Sequence, residues 1–255
     1  MILRRLTQSL KEQNWTAIWV EFVLVVAGVF LGIQVANWNA AQQDHQREAE
    51  FVARLGRDFD KIDARLAGNI SRWETKADAP LRVLADLDAF RQLHRWPRPK
   101  AGVLTDLNDT FNGRIPAPRS ATYIELLSAG QLGLIRNTKL RDALLEYDMQ
   151  VGYSQVAYSV LVSRVDPQMT SVVSHLQFDR TLSAANASLD SINENVWADV
   201  DLPALATDPK VEVALNMFAS ASRNQLVVAK LQQQKALAVM AILRPGAKRP
   251  GGKKP

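Results

Sequence analysis

Residues 15–38 read WTAIWVEFVLVVAGVFLGIQVANW, and within them the twelve residues from Phe22 to Ile33 carry no charge and no strong hydrogen-bonding side chain. Glu21 is the single charge of the wider window. As a helix the window would extend roughly 36 Å, enough to cross the hydrocarbon layer and enter both headgroup zones, whereas twelve residues alone would be too short. Three of the six tryptophans, Trp15, Trp19 and Trp38, stand at its two ends, where amphipathic rings prefer the boundary between lipid and water. The reading is a transmembrane helix over 15–38 with these three residues as interface anchors. Two competitors share its general form: the buried core helix of a soluble protein, and a cleavable signal peptide. Against the signal peptide, the polar leader is long, and the helical pattern runs through Asn39-Ala40-Ala41 without a turn signal.

Arg4, Arg5 and Lys11 precede the segment, while Asn39 to Ala53 holds Arg47 beside Asp44, Glu48 and Glu50. Positive charge stays inside, so residues 1–14 are expected in the cytoplasm and the bulk of the chain on the far side, periplasmic in a Gram-negative cell; Arg54 and Arg57 weaken the asymmetry. Gly28, Gly32 and Ala36 recur every four residues, which leaves one helix stripe without bulk and lets a second backbone approach. A homo-oligomer through this helix is the expectation, against an ordinary lipid-facing stripe. Glu21 lies seven residues before Gly28, nearly two turns, and so shares its side of the helix. It reads either as an interfacial residue or as a titrating carboxylate in the seam.

Working outward, Phe51, Leu55, Phe59, Ile62, Leu66 and Ile70 are separated by 4, 4, 3, 4 and 4 residues, a stripe close to a coiled-coil period. It predicts a stalk, with weak breaks at Gly68-Asn69 and Asp78-Ala79-Pro80 before a second helix, all within 39–95. Residues 96–119 hold four prolines and two glycines and predict an irregular connection with a short helical turn near 104–111. Over 120–243 the pattern is again helical: Ser120 caps a short helix that Gly130 ends, Asn137 or Thr138 starts a long one, and a weaker helix follows Pro167. Residues 179–207 lack periodicity, and Asp208-Pro209 opens a last helix running to Leu243, antiparallel to the stalk. Alternating strand pairs and fixed-period repeats are missing from the sequence pattern, so the expected fold is all-α: one N-terminal transmembrane helix, a stalk and an antiparallel helical bundle.

The charge balance is 31 Lys+Arg against 26 Asp+Glu, and all of the net +5 resides in the last twelve residues, 244–255, which carry five cations and no acid. Arg244, Lys248, Arg249, Lys253 and Lys254 read as a disordered solubilising tail or as a tether for anionic lipid. Nucleic acid is not an expected partner, because no aromatic platform or recognition helix accompanies them. With no cysteine, thiol chemistry and disulfides are excluded. His45, His94 and His175 share no ligand spacing, the carboxylates Asp58, Asp60, Asp63, Asp86 and Asp88 read as solvated, and Gly130-Gln131-Leu132-Gly133 lacks the rest of a phosphate loop. No metal, no cofactor and no enzymatic activity are expected. Asn14, Asn69, Asn108 and Asn186 begin glycosylation triplets, a frequent chance pattern.

Two blocks, NWTAIWVEFVLVVAGVFLGIQVANWN at 14–39 and TYIELLSAGQLGLIRNTKLRDALLEYD at 122–148, resemble an uncharacterised family of bacterial single-pass membrane proteins. The resemblance covers about a quarter of the chain, excludes the tail, and implies a location in the bacterial inner membrane; it assigns no activity and no catalytic residues. The expected function is a membrane-anchored, non-enzymatic helical scaffold or sensor-like protein, with the bilayer, a second copy and a membrane-protein partner as its company. An accessory subunit of an ion-coupled or transport complex, titrating through Glu21, is the alternative; an enzyme is a weaker one.

Overall fold

The computed structural model describes residues 15–111, 116–179 and 197–245, with backbone alone at 15–18 and 166. The fold is all-α apart from one pair of short strands. Helix α1 (Trp15–Leu93) is followed by α2 (Lys100–Phe111), α3 (Ala121–Ser128), a 3-10 turn (Leu132–Leu134), α4 (Thr138–Val165), a 3-10 turn (Asp166–Met169) and α5 (Thr170–Val173). Strands β1 (Leu176–Phe178) and β2 (Trp197–Val200) then pair antiparallel, and α6 (Leu202–Thr207) and α7 (Pro209–Leu243) complete the chain. Two compact units divide at Phe51/Val52.

The first unit is the N-terminal part of α1. From Trp19 to Gln43 its side chains are exposed around the whole circumference, with Asp44, Glu48 and Phe51 half-buried beyond, and neither Gly28 nor Gly32 has a heavy atom within 4 Å of where a Cβ would stand.

The second unit is a bundle of the later part of α1 with α4 and α7. Of the stripe anticipated from its spacing, Leu55, Phe59, Ile62 and Leu66 are buried while Phe51 and Ile70 at its ends are half-buried; Trp73, beyond it, is buried as well. Burying each such side chain contributes about 1.5–3 kcal/mol. Phe59 meets Tyr147 of α4 edge-on, ring centroids 5.0 Å apart. Helix α7 runs antiparallel to both partners. Against α1, Glu212 pairs with Arg91 at 2.6 Å and Lys230 with Glu74 at 2.9 Å; against α4, Gln225 bonds Ala157 O and Lys235 pairs with Glu146. A second apolar cluster joins Val83 and Leu87 of α1, Val103 and Leu107 of α2, Leu205 of α6 and Leu215 of α7.

The caps explain where elements start. Asp208 accepts from Lys210 N at 2.9 Å with Pro209 in the first turn, where a missing N–H costs nothing. Asn137, not Thr138, caps α4 through Leu140 N. Gly130 adopts φ +65° after α3, and Gln131 N reaches back to Leu126 O at 2.8 Å, closing the helix end in a conformation that suits glycine.

Three expectations fail. Residues 39–95 are not a stalk plus a second helix: α1 is unbroken to Leu93, with Pro80 inside it. An interior proline costs roughly 3 kcal/mol, but Trp73, Ala77, Ala79, Val83 and Leu87 stay buried on either side of it. Residues 96–119 are not irregular throughout, because α2 occupies 12 of them; Pro97 and Pro99 lie before its start and Val103 and Leu107 give it a buried face. And the aperiodic stretch after α5 holds half of a β-pair, Leu176 opposite Val200.

Candidate functional site

The N-terminal unit offers one feature with chemical consequence. From Val20 to Val35 large apolar side chains are half to two-thirds exposed, from Val26 at 50% to Leu24 at 66%, on every side of the helix. Water would charge roughly 25 cal/mol for each Å² of that surface. Trp19 packs edge-on against Phe22, and Trp38 is 71% exposed; the side chain of Trp15 is outside the described residues. Glu21, Gly28, Gly32 and Ala36 are exposed on their helix, so the stripe is open. The helix is long and apolar enough to cross a membrane. Helix α7 passes the same test of length and composition, yet its buried face packs in the bundle and Glu212, Lys230 and Lys235 along it are ion-paired to α1 and α4.

In the bundle the interior is more polar than the sequence suggests. Asn69, Ser154, Gln225 and Gln232 are buried side by side around a narrow cleft of about 230 Å³, counted with its open mouth, whose remaining walls include Trp73 and Pro116. Gln232 Nε2 donates to Ala117 O at 3.1 Å and to the Tyr147 hydroxyl at 3.3 Å, and that hydroxyl donates to Pro118 O at 2.9 Å. Burial, against the Gln232 contact, pushes Tyr147 up to about 12. These bonds staple the segment before α3 onto the bundle.

No family model, curated protein or solved structure matches this chain.

The charged clusters tie elements of the bundle together through ion pairs and hydrogen bonds. Asp106 of α2 receives Arg82 Nε at 2.8 Å and lies 2.5 Å from Arg98, which also donates to Asp86 at 2.6 Å. Arg82 is held above its ordinary range chiefly by the Asp106 hydrogen bond. Nearby, burial and then the Asp106 charge raise Asp109, with Arg82 and Arg72 opposing. Asp58, Asp60 and Asp63, expected to be solvated, are all engaged: Asp58 accepts from Ser120 Oγ and Thr122 N at the start of α3, Asp60 from Arg244, and Asp63 from Gln233. Asp86 is buried. His175 Nε2 sits 3.1 Å from Asp208, whose carboxyl is held low by that bond and by Lys210 N–H; the pair latches the β1 end to the cap of α7. Among the described residues no group of three or more His, Asp or Glu is placed to hold a metal ion.

Arg244 departs from the tail reading. Its guanidinium grips Asp60 through two bonds of 2.8 and 2.7 Å, so this charge belongs to the bundle and not to a tether. Lys248, Arg249, Lys253 and Lys254 lie outside the described residues, as do residues 1–14. Asn69 and Asn108 are buried, which removes their triplets as glycosylation sites; Asn14 and Asn186 are outside the described residues. Asn108 instead brackets the backbone of Trp197, donating to its O at 3.2 Å and accepting from its N at 3.1 Å. Sequence reasoning had no signal for that role beyond an amide on an apolar helix face.

Proposed function

We propose that the chain is a single-pass membrane protein that carries a non-enzymatic helical bundle as a scaffold or sensor-like module, its N-terminus cytoplasmic and its bulk periplasmic in the bacterial inner membrane. One observation carries this reading: the run Phe22 to Ile33 is apolar and exposed on all sides of its helix. A patch of that extent on a soluble monomer is an aggregation liability, whereas in lipid it is the solvated surface. The basic residues Arg4, Arg5 and Lys11 support the orientation, and the resemblance of blocks 14–39 and 122–148 supports the compartment. The open stripe Gly28, Gly32, Ala36 supports self-association through this helix. Carbonate-washed membranes of a cell expressing the full chain should retain it, and a C-terminal reporter active only outside the cytoplasm should be on. An intact chain left in the supernatant after ultracentrifugation ends the reading.

A second reading draws on Glu21, an ionisable group within one turn of the apolar run and on the side of Gly28. In it the chain is an accessory subunit of an ion-coupled or transport complex, and Glu21 titrates in the seam. Mild detergent extraction discriminates: a co-purifying transporter whose activity Glu21→Gln alters favours the subunit, and self-association alone favours the scaffold.

A further inference from the structure

Helix α4 has two apolar faces. One, with Leu144, Tyr147, Val151 and Leu161, is buried in the bundle. On the opposite side Leu145, Met149, Tyr153, Val156 and Val160 are exposed, from 43% at Val160 to 67% at Met149. Their spacings of 4, 4, 3 and 4 keep them on one stripe about 22 Å long. Scattered exposed apolar residues need no explanation, but five in a row on the outer face of a helix whose inner face already fills the core do.

We propose that this stripe is a self-association surface on which α4 of one copy packs antiparallel against α4 of a second copy. Charge selects the occupant. Asp142 lies three residues before the stripe and Arg164 four after it; both are exposed, and neither joins an ion pair among the described residues. A two-fold axis between Gly152 and Tyr153 sets Met149 opposite Val156, Leu145 opposite Val160, and brings Asp142 of each copy to Arg164 of the other. Parallel packing would set Asp142 against Asp142 and Arg164 against Arg164. At the axis Gly152 has no heavy atom within 4 Å of a Cβ position, which leaves a bare patch of backbone for the second copy's Tyr153 ring. The contact is isologous, each surface meeting itself, as closed dimers require. It uses none of the residues of the N-terminal seam, and because its two-fold axis lies across α4 it runs the two copies in opposite directions and is a separate pairing from that of two parallel α1 helices.

The chain has no cysteine, so introduced thiols are the only ones. The full-length protein is prepared as Met149→Cys, as Val156→Cys and as both together, then oxidised with copper phenanthroline in detergent, where the copies share no membrane orientation. Within one chain the two positions are about 10.5 Å apart along the helix, too far for a disulfide. The expected result is a covalent dimer from the double variant at several-fold the yield of either single variant. Equal dimer from Met149→Cys alone, which means a parallel pair, overturns the proposal, and so does the absence of dimer from all three. Asp142→Arg should lower the double variant's yield several-fold, and adding Arg164→Asp should restore it; no response to the charge swap also overturns it. Thermal melts of these exposed-site variants check that the bundle is intact. Cross-linking in a chain that proves soluble would sink the membrane reading and leave this one standing.

Discussion

Residues 20–35 and residues 55–87 lie on the same helix and are both rich in apolar side chains, but they spend them differently. In the first stretch bulk is distributed around the whole circumference and all of it is exposed; in the second it is confined to a stripe, and Leu55, Phe59, Leu66 and Val83 on that stripe are fully buried. The difference teaches that the quantity of hydrophobicity says little about its partner, while its angular distribution says a great deal. A stripe has one direction to hide in, and a protein neighbour supplies it. A sleeve has none, and only a solvent that is itself apolar meets it everywhere.

Charge placed in the sleeve should have the largest effect. Val26→Arg together with Leu31→Arg should release the chain from washed membranes: each arginine near the centre costs about 2.5–3.5 kcal/mol, on the order of a hundredfold in partition. The same variants should leave the thermal transition of the bundle where it was. Phe59→Ala should do the reverse, costing about 3–5 kcal/mol of bundle stability by denaturant titration with membrane retention unchanged, since Phe59 is fully buried against Tyr147. If Phe59→Ala detached the chain, or the arginine pair melted the bundle, the distinction between sleeve and stripe would be broken. Asp106→Asn comes next, at roughly 2 kcal/mol, because the charge-assisted bonds from Arg82 and Arg98 lose their anion while half-exposed Arg82 regains water. Gly130→Ala is smaller, about 1 kcal/mol, the cost of a side chain at φ +65°.

How far the fold could be read in advance follows the same division. The sleeve, the stripe and helix α7 from Asp208-Pro209 to Leu243 were legible because periodicity and caps are local. The continuity of α1 through Pro80 was not, since the local penalty was visible and the compensating burial of Trp73, Ala77, Val83 and Leu87 was not. Helix α2 hid among prolines that turn out to lie outside it. The β-pair hid because strands of three and four residues show no alternation and one of them is held by Asn108, a side chain 89 positions away from Trp197. The carboxylates misled for a related reason: Asp58, Asp60, Asp63 and Asp86 look like a wet helix face until Ser120, Arg244, Gln233 and Arg98 arrive from elsewhere in the chain. The cleft is of that kind too, since Asn69, Ser154 and Gln225 come from three helices and none is unusual alone. Of the residues singled out in the sequence for the N-terminal helix, Glu21, Gly28, Gly32, Ala36, Trp19 and Trp38 stand exposed on it.

The finest test separates the two stretches by acid. Asp58 belongs to the buried-stripe part of α1, where burial works against its charge but Thr122 N–H, the Ser120 hydroxyl and Arg54 together hold its carboxyl below the usual range. A carboxylate with a lowered folded value contributes stability that is full above its unfolded pKa, near 3.9, and is lost as pH falls through the folded value. Asp208 adds to the same slope, with His175 and Lys210 N–H as its partners, whereas Asp109, raised by burial and by Asp106, opposes it. The bundle should therefore lose a modest part of its melting temperature between pH 5 and pH 2, most of it below pH 4. Asp58→Asn should melt slightly lower at pH 7 and show a shallower fall, because the amide still accepts from Thr122 N–H but has no charge to lose. Hydrogen exchange would localise the change: the amides of Thr122 and Tyr123 at the start of α3 should gain exchange at low pH in the parent chain and show little further gain in Asp58→Asn. On the proposed membrane reading, retention rests on the charge-free run Phe22 to Ile33 and should not respond over this range in either protein. A parent melting curve that is flat to pH 2 would mean that the bonds from Ser120 and Thr122 do not favour the charged form of Asp58, and that the start of α3 is held by the Ser120 cap alone.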